Sequence, residues 1–220
     1  MGLFDKFQDL KIEKDKVFVE SGYNLSKLAY LLSKKGLLGL EFATGIPGTL
    51  GGAVYMNAGA YGSAMNEVIE KVVVLTPKLE IKELSNAELK FAYRQSFLQT
   101  NKEYICLAVT LQLKFGDIEN ALALIADRKQ RRLNSQPLDF PSAGSVFRNP
   151  ENDYAGRLIE ELNLKGYQIG DAKVSCKHAN FIINIGKASG QDVQKLIQEI
   201  QTRVFEKYAV KLKVEQEIIE

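Results

Sequence analysis

Between Gly39 and Gly62 the chain places seven glycines and one proline in an otherwise apolar segment, Gly39-Leu-Glu-Phe-Ala-Thr-Gly-Ile-Pro-Gly-Thr-Leu-Gly-Gly-Ala-Val-Tyr-Met-Asn-Ala-Gly-Ala-Tyr-Gly62. That density suits neither a helix interior nor a strand, because glycine loses the most backbone freedom on folding and offers no side chain to pack. It predicts exposed main chain: glycine reaches φ > 0 and lets a ligand touch the amides, while Pro47 fixes one φ. Successive bare amides suit a phosphate or a flat ring. The plainer reading is a glycine-rich connection between packed elements. Against it, the segment has no Ser or Asp and a single Asn, and it sets Tyr55, Met56 and Asn57 among its glycines, as a ligand-lining loop does. No Gly-Lys-Ser/Thr follows and no Gly-x-Gly-x-x-Gly occurs, so neither standard nucleotide loop is present.

With 220 residues, 45% of them hydrophobic, the chain fills one large domain or two small ones. A formal charge of +2 gives no footprint for nucleic acid, and Arg128-Lys-Gln-Arg-Arg132 reads as the solvated end of a helix. Cys106 and Cys176 are the only cysteines, which argues for a reducing, cytoplasmic setting and against a disulfide framework. No apolar run approaches the roughly 20 residues of a membrane span, and Met1-Gly-Leu-Phe-Asp-Lys-Phe7 has no signal-peptide core, so no membrane partner is expected.

Lys16–Glu20 reads as a strand, and Asn24 caps an apolar-periodic helix through Leu25, Leu28, Ala29 and Leu32 that Gly36 stops. Val72–Leu75 and the long alternating run Tyr104–Phe115 are further strands, which together predict a mixed sheet. A helix from Ile118 to about Arg132, periodic in Leu122, Leu124 and Ile125, leads to the breaker Asn134-Ser-Gln-Pro137 and marks the domain junction. Beyond it come a helix (Tyr154–Leu162), a strand (Phe181–Ile185) and a long helix (Gln191–Tyr208) capped by Ser189, with Val193, Leu196, Ile197, Ile200 and Val204 on one face. The alternating Val210–Val214 is expected to rejoin the first domain.

The chemistry-bearing residues are few. Ser145 sits in Ala-Gly-Ser-Val-Phe without a nucleophile elbow, and His178, the single histidine, lies in another motif, so a Ser-His-Asp hydrolase is disfavoured. On residues alone Ser145 is a turn hydroxyl, Arg94 a fork donor for a carboxylate or a surface ion pair, and Glu215 and Glu217 solvated charges. One histidine and no zinc spacing predict no metal site.

Four blocks in order, the glycine segment, Phe91-Ala-Tyr-Arg-Gln-Ser96, Ser142-Ala-Gly-Ser-Val-Phe-Arg-Asn-Pro150 and Leu164-Lys-Gly-Tyr-Gln-Ile-Gly-Asp-Ala-Lys-Val-Ser-Cys-Lys-His-Ala-Asn-Phe-Ile-Ile-Asn184, closely resemble the UDP-N-acetylenolpyruvoylglucosamine reductases of peptidoglycan synthesis, in their compact variant. The resemblance implies an α+β chain. A partial FAD-binding domain of the PCMH type (1–117, with 211–220 returning to it) would precede an α+β substrate-binding domain (118–210). It implies FAD as cofactor, NADPH as reductant and UDP-N-acetylglucosamine enolpyruvate as substrate.

By motif, Gly45, Ile46, Pro47, Gly48, Thr49, Gly52, Ala53, Asn57 and Gly59 would contact the flavin. Tyr93, Asn149, Lys165 and His178 would contact the nucleotide-sugar. Arg94 would clamp the substrate carboxylate and Ser145 would donate the proton that follows hydride transfer. The ending Leu212-Lys-Val-Glu-Gln-Glu-Ile-Ile-Glu220 maps the third active-site residue to Glu215, with Gln216 in place of the usual valine and Glu217 as the alternative. Family members carry a further N-terminal subdomain whose Gly-Ser-Asn loop helps hold the flavin diphosphate, without counterpart here. The expectations are therefore weak flavin retention or a split partner that supplies that segment, and the rival reading is a remnant that binds nucleotide-sugar without turning over.

Overall fold

The computed structural model describes residues 7–218. The expectation of no leader at the start falls mostly on residues 1–6, outside the described ones, as do the last two residues of the terminal segment. The chain divides into two units, with the boundary between Gln130 and Arg131.

In the first unit, β1 (Leu10–Glu13) and β2 (Lys16–Glu20) form a hairpin, and Lys14 takes the left-handed φ of +57° that the turn needs. Asn24 Oδ1 then accepts the Lys27 amide at 2.9 Å and caps α1 (Leu25–Lys34), which ends before Gly36 at φ +73°. After β3 (Leu37–Leu38) and a 3₁₀ turn (Glu41–Gly45) comes α2 (Leu50–Met56). The glycine-rich segment is thus not an open loop throughout. Its middle is helical, because Thr49 caps it and Leu50, Ala53 and Val54 supply a buried stripe.

The small hairpin of β4 (Gly59–Ala60) and β5 (Ser63–Ala64) precedes β6 (Ile69–Leu75), β7 (Ile81–Ser85) and α3 (Phe97–Thr100). The long alternating run divides into β8 (Ile105–Gln112), in the main sheet, and β9 (Lys114–Phe115), which pairs with β3 instead. The main sheet has the order β1-β2-β8-β6-β7, and every pair in it is antiparallel, which corrects the mixed sheet expected. For β1–β2 and β6–β7 the reason is local, since each is a hairpin and a parallel neighbour needs a crossover of a dozen residues or more; β2–β8 and β6–β8 join distant segments, and their direction is set by the tertiary fold. Val17↔Leu111 and Val19↔Val109 face the same side as Val72 and Val74. That side is buried with Leu25, Leu28, Leu32, Leu50 and Val54 in one core. In α4 (Ile118–Ser135) the buried residues are Ala121 and Ile125, while Leu124 is exposed, one step off the expected stripe.

The second unit opens with β10 (Ser142–Ser145) and α5 (Ala155–Glu161). Then follow β11 (Gln168–Ile169), β12 (Ala172–Val174), β13 (Phe181–Asn184) and α6 (Gly190–Tyr208). Its sheet, β10-β13-β12-β11, is antiparallel and packs Val174 and Ile182 with Leu158 and Ile159 of α5 and Leu196, Ile200 and Val204 of α6. Ser189 and Asp192 close a capping box at the start of α6. The terminal segment differs from the expectation that it returns to the first unit. Arg148 N donates to Lys213 O and Glu215 N to Val146 O, so residues 213–215 run beside 146–148 in the second unit, with Leu212 in its core. Of the strand expected over Val210–Val214 only one bridge forms among the described residues, Phe147↔Val214, and alternation did not say which chain segment it joins.

Candidate functional site

In the first unit the glycine-rich segment is fastened across the β2–α1 connection by main-chain bonds from Leu25 N to Gly48 O, Leu50 N to Tyr23 O and Gly51 N to Ser21 O. Ser26 Oγ adds a bond to Ile46 O at 2.9 Å. Between these pieces and the start of β8 lies a cavity of about 360 Å³ lined by Ser21, Gly22, Thr49, Gly51, Gly52, Tyr55, Leu98, Tyr104, Ile105 and Cys106. One wall is bare main chain and the other is apolar, the surface a flat ring system needs. Burial pushes the Cys106 thiol up to about 12, so it serves as an apolar wall and not as a nucleophile.

Of the residues assigned to the cofactor, Thr49 and Gly52 line this cavity. Gly48 sits at φ +106° with open space where a Cβ would be, beside the exposed Pro47; Ile46 and Gly45 are half-buried. Ala53 is in the core. Asn57 is different: at φ +43° it ends α2, Nδ2 donates to Ala92 O (2.9 Å) and Oδ1 accepts Asn66 N (3.0 Å), so its amide links α2 to the Tyr93 turn. Gly59 is required by packing, since a Cβ there would lie 2.5 Å from Ser63 O. Sequence reasoning missed Ser21, Gly22 and Tyr104–Cys106. The Ser-Gly pair between a strand and a capped helix was a turn signal that could have pointed to the first two.

Tyr93 and Arg94 form the tip of a two-residue turn closed by reciprocal bonds between Ala92 and Gln95 at 3.1 Å. Arg94 holds φ +54°, which costs about 1 kcal/mol for a side-chain-bearing residue. Neighbours hold it there: Gln99 Nε2 donates to Arg94 O (3.0 Å), and Ser96 Oγ donates to Tyr55 O (2.7 Å). The guanidinium donates to Gly59 O at 2.8 Å and lies 5.2 Å from the ring centre of the exposed Tyr93. The motif Phe91–Ser96 and the glycine segment are therefore one assembly.

The second unit brings Ser145, Asn149, Glu215, Lys165 and His178 onto elements that touch. Ser145 pairs with Phe181 after a register shift between Ser142 and Ser145, where Gly144 takes φ +80°. A bulge of this kind re-aims the next side chain. Ser145 is exposed, and its hydroxyl makes no hydrogen bond among the described residues, unlike the turn hydroxyl of the plainer reading. Glu215 is half-buried and tied to Val146, while Glu217 is exposed, which favours Glu215 of the two. Asn149 Oδ1 accepts the Ala155 amide at the start of α5 (3.1 Å), leaving the amide nitrogen for a ligand.

Lys165 Nζ meets Glu160 at 2.6 Å. His178 packs edge-on to Phe181 at 4.9 Å, and its Nδ1 accepts the Asn180 amide at 3.2 Å, placing the proton of the neutral ring on Nε2. Burial, then the Lys165 charge, lowers its pKa from the usual histidine value, partly opposed by Glu160. No group of three or more His, Cys, Asp and Glu suited to a metal occurs among the described residues, and none of their helices is long and apolar enough to cross a membrane.

Comparison with known proteins agrees with both units. Residues 136–219 match the family model of the UDP-N-acetylenolpyruvoylglucosamine reductase C-terminal domain, and residues 1–85 match that of an FAD binding domain. The UDP-N-acetylenolpyruvoylglucosamine reductase of Anoxybacillus flavithermus is 48% identical over 217 residues, 99% of this chain and 72% of that protein. Its namesake in Bacillus subtilis is 48% identical over 210 residues, 96% of this chain and 69% of that one. The crystal structure of UDP-N-acetylenolpyruvylglucosamine reductase from Thermus caldophilus matches with a TM-score of 0.84 at 35% identity, covering 96% of this chain and 74% of that chain.

Proposed function

Because the chain belongs to the UDP-N-acetylenolpyruvoylglucosamine reductase family, whose members are FAD-dependent oxidoreductases, we propose that it reduces UDP-N-acetylglucosamine enolpyruvate to UDP-N-acetylmuramate with NADPH as the reductant. The observation that supports this most is Ser145, an exposed hydroxyl without a hydrogen bond among the described residues, set by a bulge at the motif position.

FAD, when bound, supplies the hydride chemistry, and the protein supplies binding, orientation and charge. Thr49, Gly52 and the apolar wall of Tyr104 and Ile105 would hold its ring system, with Gly48 giving close approach to main chain. Arg94, its fork direction fixed by Gly59 O, would bind the substrate carboxylate and stabilise the negative charge that grows on the enolate-like fragment. Ser145 Oγ would give its proton to the carbon carrying that charge. A hydroxyl is a weak acid, so Glu215, tethered one residue away through Val146, would support the alkoxide's reprotonation. Asn149, Lys165 and the Nε2–H of His178 would take the UDP-sugar, Lys165 as a point charge on the diphosphate.

Stopped-flow absorbance tests the assignment. Ser145→Ala should leave the NADPH-dependent loss of flavin absorbance nearly unchanged and slow its substrate-dependent return by roughly 10²–10⁴-fold. Equal losses in both phases would refute the proton-donor role. Failure of the purified chain to reduce the enolpyruvyl substrate with FAD present would refute the activity.

A further inference from the structure

We infer that Asn180 is the positioning residue for the candidate substrate-binding residues of the second unit. This rests on the function proposed above, since it names what holds Ser145, Asn149, Glu215 and His178 in place. The pairing of β10 with β13 ends at Ser145↔Phe181, because the opposite chain turns there, with Phe181 N bonded to His178 O at 3.0 Å. The ladder is continued by one side chain. Asn180, only 5% exposed, accepts Phe147 N on Oδ1 (3.0 Å) and donates from Nδ2 to Phe147 O (2.8 Å). An amide side chain thereby replaces both groups of a missing strand residue.

The main chain of Asn180 does two more things. Its carbonyl accepts Val146 N at 2.9 Å, and its amide donates to His178 Nδ1 at 3.2 Å. On the other edge of residues 146–148 hang Lys213 and Glu215. The three residues between Ser145 and Asn149 are therefore clamped from both sides, and the imidazole is held in the tautomer that presents Nε2–H. The charged groups beside that ring are Lys165 and Glu160, and α5 approaches it at Gly156.

The near-isosteric Asn180→Asp makes the test. Its carboxylate keeps the acceptor for Phe147 N but sets an anion against Phe147 O. Burial raises the pKa of such a carboxyl, and once protonated it donates a hydrogen bond and rebuilds the clamp. Affinity for UDP-N-acetylglucosamine is measured by calorimetry, with circular dichroism confirming that each protein is folded. The variant should bind about tenfold or more weaker than the parent at about pH 8 and recover to within about twofold at about pH 5. Asn180→Ala should be weaker at both. Parent-like affinity in both variants, or an Asp deficit that does not close on acidification, overturns the inference. Two readings on the unmodified protein decide it even if the variants fail to fold or the parent binds no probe. The Phe147 amide should be protected from hydrogen exchange, and ¹⁵N resonances should show His178 protonated on Nε2 when neutral. A fast-exchanging Phe147 amide or an Nδ1-protonated ring overturns it.

Discussion

Gly52→Ala should make the ligand-free protein more stable and the cofactor weaker. Gly52 is the third residue of α2 and exposed, and an added Cβ would meet only Thr49 Oγ1, at an ordinary 3.6 Å. Alanine is preferred to glycine inside a helix by about 1 kcal/mol; in the first turn about half of that is realistic, so a gain of ~0.5 kcal/mol is expected. In a chain of this size that raises the melting midpoint by about 1–2 °C. Gly51 behaves oppositely. A Cβ there would lie 2.9 Å from Ser21 Cβ and 3.3 Å from Ser21 O, across a segment already bonded from Gly51 N to Ser21 O. Since Ser21 Cβ is attached rigidly to a main chain that is itself in close contact, Gly51→Ala should destabilise by about 1–3 kcal/mol.

Gly52 nevertheless forms part of the cavity wall, so the extra methyl group stands where a ring would lie. A steric cost of about 1.4 kcal/mol is a tenfold loss of FAD affinity. Urea unfolding followed by circular dichroism gives the stabilities, and fluorescence titration with FAD gives the affinities. A Gly52→Ala protein less stable than the parent would refute the helix argument, and one that binds FAD equally well would refute the assignment of the cavity. A Gly51→Ala protein of parental stability would refute the packing argument.

Three further outcomes are expected. At Gly144 a Cβ meets nothing within 4 Å, so Gly144→Ala carries only the backbone cost of φ +80°, about 1–2 kcal/mol. It should slow the substrate-dependent phase while Gly144→Asn, which tolerates that φ, keeps it; equal behaviour of the two would contradict a conformational role. His178 is depressed below the usual histidine value, first by burial and then by Lys165. Its neutral form thus contributes stability above about pH 6.5, lost as pH falls through that value towards the folded one. Lys165→Met should raise the midpoint of its NMR titration and Glu160→Gln should lower it, and movement in the reverse sense would show that these charges do not act on the ring. Of the two cysteines, the exposed Cys176 should be alkylated readily at mildly alkaline pH and Cys106 only on unfolding, as mass spectrometry of the peptides would report.

The sequence by itself determined those features whose causes are local. The Asn24 and Ser189 caps, the stop at Gly36, the strand Lys16–Glu20 and the apolar stripe of Leu196, Ile200 and Val204 are visible because the period of side-chain burial and the cap chemistry act within a few residues. The four motif blocks and the family they belong to were legible for the same reason, as residue identities in order. Tertiary structure alone decided what depends on distant partners. It made Leu50–Met56 a helix, where an isolated reading of its glycines gave a loop, because packing of Leu50 and Val54 outweighs glycine's unfavourable propensity. It turned Asn57 and Gly59 into the parts that hold the Arg94 turn. It split Tyr104–Phe115 between two sheets and placed the terminal segment against Val146–Arg148, because alternation fixes which face of a strand is buried but carries no record of its neighbour. The same limit hid Asn180, whose role consists of bonds to Phe147, 33 residues earlier in the chain.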